Sequence, residues 1–348
     1  MAQDWDEKIK ATLLISLTGC GILAAAGDIL YDYVFNRNPK LLFGPLKKNK
    51  ESFITGDILR AEISEETLAW AERTNFSQRQ TYAYDGTSLN AYSFEQQKGS
   101  RRWLIAVHGY GQNAAAMFTI AKPFYEAGYN VLIPECRGCG RSGGNYYGMG
   151  WADRLDVIKW CRQITANQPQ AEIVLYGIST GADAVLMASG EDNLPVNVRC
   201  VISDSAYTRL TDLSNYTLKQ RNMPAGILTF ATSFITYLRA GYSFPMASAV
   251  NQVSKSHTPT LFIHGSKDEL FPVEMAYELY EAAECPKDIY IADQAAHGYA
   301  MYTDYTKYWE VVRKFTRNFI NDQKDETSRL TRLKNQVRRI RKSDKPGS

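Results

Sequence analysis

A serine set between two glycines is the side chain best placed for nucleophilic chemistry in this chain. The stretch from Ile173 to Gly181 reads I-V-L-Y-G-I-S-T-G, so strand-favouring residues lead into the serine and helix-forming residues follow it. A serine at such a turn has a strained backbone and an exposed hydroxyl, and the flanking glycines avoid collision with the neighbouring strand and helix. The pattern predicts a nucleophile elbow at Ser179.

Two residues further along the chain could activate that serine. A serine hydroxyl is a weak nucleophile until a base accepts its proton, and an acid must orient the base. His297, in the loop A-A-H-G, is the predicted base, and Asp268, in the turn S-K-D-E, is the predicted acid. Asp204 also follows a predicted strand and is the alternative acid. These side chains come from distant loops, and we expect them to converge above one edge of a sheet.

Backbone donors are needed for the negative oxygen of a tetrahedral intermediate. Thr180 is expected to supply one N–H group, because it begins the helix after the serine and the helix dipole strengthens its effect. The loop H-G-Y-G, after the strand that ends at Val107, is expected to supply the second, and Tyr110 is the predicted donor. Since only its backbone would act, the side chain of Tyr110 could shape the substrate pocket.

Alternating strand and helix signals must position these residues. From Arg102 onward, short apolar runs alternate with amphipathic segments, which is typical of a mostly parallel sheet with helices on both faces. The predicted strands are Trp103 to Val107, Val131 to Pro134, Ile173 to Tyr176, Val198 to Ser203, Thr260 to Ile263 and Ile289 to Ala292. The predicted helices are Ala114 to Ala127, Trp151 to Ala166, Ala182 to Gly190, Val273 to Ala283 and Asp304 to Phe319. A hairpin, Gln80 to Tyr84 with Ser88 to Phe94, is expected before them.

The alternation stops for about fifty residues between Tyr207 and His257. This interval contains an uncharged apolar and aromatic run, Ile227 to Leu238, and it is too long for a plain connecting loop. We expect a helical insertion above the carboxyl edge of the sheet, acting as a lid or a substrate pocket. The alternative is a helical pair that only packs.

Six short motifs resemble those of the α/β-hydrolase superfamily, and within it the bacterial serine-aminopeptidase-like hydrolases that carry an amino-terminal membrane segment. They are H-G-Y-G (108–111), E-C-R-G-C-G-R-S-G-G (135–144), Y-G-I-S-T-G (176–181), S-D-S-A-Y (203–207), F-I-H-G-S-K-D (262–268) and A-A-H-G (295–298). The chain order serine, aspartate, histidine also belongs to that superfamily. The resemblance covers about residues 80–320, and it implies hydrolysis of an ester, thioester or amide through an acyl-serine, with no metal or organic cofactor.

Other reactive side chains have structural interpretations. His264 and His108 lie at strand ends and are expected to fix backbone structure. Cys136 and Cys139 have the spacing of a metal or redox motif, but no second pair or histidine cluster accompanies them, so a tight loop is favoured. Arg137 and Arg141, in the same loop, could bind an acidic substrate. The resemblance implies instead that both arginines stabilise the turn.

The amino-terminal region has the composition of a membrane segment. Thr12 to Gly27 carries no charge, and aromatic residues at 31, 33 and 35 could form an interfacial belt. We therefore expect a single-pass anchor in the cell membrane, with a buried helix packed on the body as the alternative. Basic residues lie on both sides of the segment, so the side of the membrane stays open, although the larger number after it favours a cytoplasmic body.

The carboxyl-terminal residues form a basic tail. Residues 323–348 contain nine Lys or Arg against three Asp or Glu, so the tail carries +6 and the preceding residues −3. Leu330, Leu333, Val337 and Ile340 recur at helical spacing among the basic residues, which suits an anionic membrane surface. A solvated tail is the alternative. No aromatic interleaving or nucleic-acid motif indicates DNA or RNA as a partner.

These features predict an α/β-hydrolase fold with a helical cap insertion and an N-terminal hydrophobic helix. The expected organisation is an anchor and basic flank (1–50), a helical lead-in (51–79), a core (80–206 and 258–322), a cap (207–257) and the tail (323–348). The leading function is a serine esterase acting on small or lipid-like acyl groups. An aminopeptidase, an acyltransferase or thioesterase, and a binding scaffold without turnover are the alternatives.

Overall fold

The computed structural model describes residues 21–37, 64–97 and 99–320, together with the backbone of residues 40–41 and 44–45. An eight-stranded sheet forms its centre. The strands are β1 (Phe76–Tyr82), β2 (Ser88–Phe94), β3 (Arg102–Val107), β4 (Asn130–Glu135), β5 (Glu172–Ile178), β6 (Val198–Asp204), β7 (Thr260–Gly265) and β8 (Lys287–Ala292). Lys40–Leu41 and Gly44–Pro45 pair in a separate small sheet.

The strand order places the predicted elbow in the middle of the sheet. The strands follow one another as β8-β7-β6-β5-β3-β4-β2-β1. Pairs within β3 to β8 are parallel, whereas β2 pairs antiparallel with both β1 and β4. Because β5 lies between β3 and β6, the loops that follow all three strands emerge beside Ser179. The mostly parallel sheet confirms the predicted fold class.

Burial on both faces explains why the central strands are so apolar. Every residue of β7 is buried, and alternate residues of β5 enter two different core clusters. One face is covered by α2 (Glu65–Arg73), α3 (Phe118–Glu126), α10 (Ala300–Thr303) and α11 (Tyr305–Arg317). The other face is covered by α4 (Asp153–Asn167), α5 (Thr180–Ser189), α8 (Ala249–Val253) and α9 (Glu274–Ala282). A 3₁₀ turn, Ala114–Met117, leads into α3.

The first strand differs from its prediction. It begins at Phe76 instead of Gln80, so the last residues of the predicted helical lead-in belong to the sheet. This strand is at the edge of the sheet and its first three residues are exposed, so it lacks the apolar alternation that reveals a half-buried strand. Residues 46–63, which hold much of the predicted lead-in, lie outside the described residues.

The interval between β6 and β7 is helical, as predicted. It contains α6 (Leu210–Gln220) and α7 (Ala225–Ala240), a 3₁₀ turn (Phe244–Met246) and the short α8. Leu210, Leu213 and Ile235 connect α6 and α7 to the core cluster that also contains residues of α5. The insertion is therefore packed on the body through apolar side chains.

The amino-terminal helix packs on the insertion. Residues 21–34 form α1, and a Cβ atom on Gly27 would come within 2.7 Å of the Ala231 backbone, so α1 and α7 are in close contact. Tyr31 and Phe35 are buried and their rings stack, so an interfacial position for these two aromatics is wrong. The carboxyl-terminal end of α1 is therefore packed on the body, whereas Ile22 and Ile29 of the same helix are exposed.

No helix within the described ranges is both long and apolar enough to cross a bilayer. The structure therefore gives the predicted anchor no support. Residues 1–20, which hold much of the uncharged run, lie outside the described residues, as does the basic tail at 323–348.

Candidate active site

Ser179 occupies the sharp turn between β5 and α5 that the sequence predicted. Its φ of +55° lies in the left-handed region, which non-glycine residues seldom adopt. A Cβ atom on Gly177 would approach the Ala182 nitrogen to 2.6 Å, and one on Gly181 would approach the His108 carbonyl oxygen to the same distance. Because side chains are excluded at both positions, strand and helix can pack closely around a strained serine.

His297 reaches the serine from the loop between β8 and α10. Its Nε2 atom lies 2.9 Å from Ser179 Oγ, and its Nδ1 atom lies 2.7 Å from Asp268 Oδ2. The carboxylate can only accept, so Nδ1 carries the proton and Nε2 accepts the serine hydroxyl proton. The ring of Phe271 contacts the imidazole edge to face, with the ring centroids 4.5 Å apart. This contact has no signal in the sequence.

Asp268 is held by four donors. Its Oδ1 atom accepts the backbone N–H groups of Leu270 (2.9 Å) and Phe271 (2.7 Å), and its Oδ2 atom accepts from His297 and from His264 Nε2 at 3.1 Å. Burial alone would raise the pKa of Asp268, but the charge of His297 and the hydrogen bonds from His264 and His297 outweigh it and lower the pKa. The carboxylate is therefore ionised.

Asp204, the alternative acid, lies in a separate buried network. Its carboxylate accepts hydrogen bonds from Tyr308 (2.9 Å), Tyr176 (3.2 Å) and Ser205 (2.9 Å). Burial raises the pKa of Asp204 despite these donors. Of the two acids considered from the sequence, the structure brings Asp268 to His297. The tyrosine partners come from β5 and α11, and nothing local in the sequence reveals that pairing.

The loop after β3 lies against the serine. A Cβ atom on Gly109 would be 3.1 Å from the Cβ atom of Ser179, so the next residue, Tyr110, also lies near the elbow. Among the described residues, the backbone N–H groups of Tyr110 and Thr180 have no protein acceptor. The side chain of Tyr110 is buried; its hydroxyl donates to the Val34 carbonyl and its ring contacts Tyr147. It thus connects this loop to the end of α1.

His108 has the structural role expected of it. Its Nδ1 atom donates to the Gly109 carbonyl at 2.8 Å, and its Nε2 atom accepts the Cys136 backbone N–H at 3.0 Å. Burial lowers the pKa of His108 to about 4, so the ring is neutral near pH 7. The imidazole thus joins two loops at the carboxyl edge of the sheet.

The C-R-G-C loop is organised by buried contacts. Burial raises the pKa of the Cys136 thiol well above its ordinary value, and that of Cys139 to about 12, so both are thiols and not thiolates at neutral pH. Within the described ranges, no group of three His, Cys, Asp or Glu could hold a metal ion. Arg137 is buried; its guanidinium makes two hydrogen bonds to Asp156, of 2.9 and 3.0 Å, and one of 2.7 Å to Asp85.

Arg137→Met is expected to destabilise the protein by about 3 kcal/mol, because it leaves the buried Asp156 without its cation. The measurement is the free energy of unfolding from urea titration, with Arg141→Met as the control. Arg141 lies in the same loop with an exposed side chain, so its replacement should stay within about 0.5 kcal/mol of the parent. Equal effects for the two variants would contradict a structural role for Arg137.

Comparisons with known proteins agree with this fold. Residues 98–239 match the family model described as serine aminopeptidase, S33. The chain is 26% identical over 283 residues to the uncharacterised protein YqkD of Bacillus subtilis, and the match covers 81% of this chain and 90% of YqkD. It is 23% identical over 228 residues to a monoglyceride lipase homolog of monkeypox virus, covering 58% of this chain and 83% of that protein.

The solved structures include an esterase of the same architecture. Esterase Pf2001 of Pyrococcus furiosus superimposes with a TM-score of 0.59 at 22% identity, and the match covers 71% of this chain and 94% of the esterase. At that identity the likeness concerns the fold. The fold is that of the α/β hydrolases, and the match of residues 98–239 adds a similarity to the serine aminopeptidases.

Proposed function

We propose that this protein is a serine hydrolase that cleaves carboxylic esters of small or lipid-like acyl groups through an acyl-serine. The observation that carries the proposal is the buried hydrogen-bonded series from Ser179 through His297 to Asp268. A hydroxyl, an imidazole and a carboxylate in that series are the groups that nucleophilic acyl transfer needs. A small acyl substrate fits a hydrolase of this superfamily.

Acylation begins with the hydroxyl proton. His297 Nε2 accepts that proton while Ser179 Oγ bonds to the ester carbonyl carbon, and the carbonyl oxygen becomes negative. Asp268 stabilises the resulting imidazolium through Nδ1–H and stays ionised, as its lowered pKa favours. When the tetrahedral intermediate collapses, the bond to the alkoxide breaks and the imidazolium gives its proton to the departing alcohol.

The oxyanion binds to the backbone N–H groups of Thr180 and Tyr110 in this mechanism. Thr180 is at the amino terminus of α5, where the helix dipole favours negative charge. Both N–H groups lack a protein acceptor among the described residues, which leaves them available to a substrate oxygen. In deacylation, His297 accepts a proton from water as the water oxygen bonds to the acyl carbon. The bond from that carbon to Ser179 Oγ then breaks, Ser179 recovers a proton from His297, and the carboxylic acid leaves.

An ester with an apolar acyl group is the favoured substrate because of the insertion. Within the described part of the chain, an apolar cavity lies between α1, α6 and α7, lined by Leu30, Val34, Leu213 and Leu218 among others. None of the three proposed triad residues lines this cavity, so it supports the apolar character of the insertion and does not locate the acyl group. The esterase and lipase names of similar proteins point the same way. The family description instead favours an aminopeptidase, which is the second candidate. We propose that residues 207–257 act as the cap of this site.

A fluorophosphonate probe tests the nucleophile directly. We expect covalent labelling of the parent protein and none of Ser179→Ala, because only an activated serine attacks the probe. Ser189→Ala is the matched control: this serine is buried in α5 with its hydroxyl bonded to the Leu186 carbonyl, so labelling should persist. A folded parent protein that resists the probe would favour a binding scaffold.

Substrate class is tested by comparing chromogenic substrates. We expect kcat/KM for p-nitrophenyl esters of graded acyl length to exceed that for aminoacyl p-nitroanilides. Ser179→Ala provides the background rate for both series. Turnover of the anilides alone would make the aminopeptidase the correct assignment.

A further inference from the structure

One face of α7 is apolar and open to solvent. It consists of Ile227, Phe230, Phe234, Tyr237 and Leu238, and we call it the α7 apolar face. Each of these side chains is more than half exposed, and Phe230 reaches 69%. The spacing of three and four residues places them along one side of the helix. The opposite side, with Leu228, Ala231 and Ile235, is packed on the protein.

A neighbouring helix also exposes large apolar side chains. Gly27 of α1 allows close approach to Ala231, and Arg239 at the end of α7 forms ion pairs with Asp28 (2.7 Å) and Asp32 (2.6 Å). The two helices are therefore fixed side by side. Ile22 and Ile29 of α1 are also exposed, at 67% and 46%. Grouped large apolar side chains are unusual on a soluble surface and mark an interaction site.

The charges around the face indicate what it contacts. The sequence of α7 contains no acidic residue, and Lys219 and Arg221, at the carboxyl-terminal end of α6, are exposed. On the α1 side, Asp28 and Asp32 share the guanidinium of Arg239. Apolar and aromatic side chains beside basic ones are the combination that binds an anionic membrane surface.

A second copy of the chain fits this surface less well. In a two-fold dimer the same patch meets itself, so the interface would contain Lys219 and Arg221 twice, whereas an anionic lipid surface offers them opposite charge. The segment that precedes α1 in the sequence, residues 12–20, also carries no charge. A lipid interface accommodates both features.

We propose that the α7 apolar face, together with Ile22 and Ile29 of α1, inserts into the interfacial layer of a bilayer that contains anionic lipid. The helices lie on the membrane and do not cross it. Because α6 and α7 form the insertion between β6 and β7, this contact would present the insertion to the source of an apolar substrate. The binding itself does not depend on the proposed hydrolysis.

Vesicle binding by the full chain tests the proposal. We expect Phe230→Ser combined with Phe234→Ser to weaken partition onto phosphatidylcholine and phosphatidylglycerol vesicles at least tenfold in co-sedimentation. Val196→Ser is the matched control, since Val196 is 88% exposed in the loop before β6 and should not change binding. Lys219→Gln with Arg221→Gln should weaken binding only when phosphatidylglycerol is present.

A probe on the face separates this contact from any binding by residues 1–20. An environment-sensitive fluorophore attached at Phe230→Cys, in a Cys20→Ser background, should shift to the blue when vesicles are added. A probe that stays in water while the protein binds, or unchanged binding of the double serine variant, would refute the proposal. So would a dimer in light scattering that the serine variant dissociates, with no vesicle binding by the parent.

Discussion

Asp268→Asn is expected to lower kcat/KM for an ester substrate by about 10,000-fold while the fold persists, the size of effect seen when a triad aspartate becomes asparagine. The structure supplies the reason. The backbone N–H groups of Leu270 and Phe271 both donate to Asp268 Oδ1, so an asparagine would place its carbonyl oxygen there. Its NH₂ group would then face the two histidines.

That orientation reverses the hydrogen bond to the base. The asparagine NH₂ group would donate to His297 Nδ1, where the carboxylate accepted, so the imidazole proton would move to Nε2. A protonated Nε2 cannot accept the proton of Ser179, 2.9 Å away. The same NH₂ group would also oppose the N–H of His264, which must donate because its Nε2 atom lies 2.7 Å from the Phe271 carbonyl oxygen.

Asp204→Asn is the matched comparison, because it changes a buried carboxylate at the end of a strand of the same sheet, the alternative acid. Asp204 bonds to two tyrosines and a serine, so we expect kcat/KM to stay within about tenfold of the parent. Urea unfolding of both variants separates lost stability from lost catalysis. A larger loss of kcat/KM for Asp204→Asn than for Asp268→Asn would show that Asp204, and not Asp268, orients the base.

The positions that the sequence predicted well share a local cause. Gly177, Ser179 and Gly181 are constrained by one turn, and the strands on either side are buried on both faces, so their apolar runs are continuous. The carboxyl ends of parallel strands lie at one edge of the sheet, so Asp268 and His297 are expected near the serine. This prediction needs no information about their contacts. Order and type of element were therefore sufficient to assemble the candidate site.

The features that the sequence did not reveal depend on contacts between distant residues. Tyr308 reaches Asp204 from α11, and Tyr110 bonds to the Val34 carbonyl at the end of α1. The helix that follows the uncharged run illustrates the same limit, because burial against protein and burial in lipid select the same side chains. Tyr31 and Phe35 are buried in the protein, where their rings stack 5.5 Å apart, whereas Ile22 and Ile29 of the same helix are exposed.

Gly177→Ala is expected to destabilise the protein by about 4 kcal/mol or more, although it adds a single methyl group. The new Cβ atom would approach the Ala182 nitrogen to 2.6 Å and the Gly181 carbonyl oxygen more closely still. These are backbone atoms of α5, so no side-chain rotation relieves the overlap. Strand β5 and helix α5 would have to separate, and Ser179 lies between them.

Gly226→Ala is the control for this change. Gly226 is in the first turn of α7, and a Cβ atom there would meet nothing within 4 Å. Alanine favours the helix over glycine, so this variant should gain up to about 1 kcal/mol in urea unfolding. Changes of opposite sign in the free energy of unfolding of the two variants would show that close packing, and not the loss of a glycine, causes the destabilisation at Gly177. The prediction fails if the free energy of unfolding of Gly177→Ala lies within about 1 kcal/mol of the parent value. The turn would then have room for a side chain, and tight packing would not be what holds Ser179 in its strained conformation.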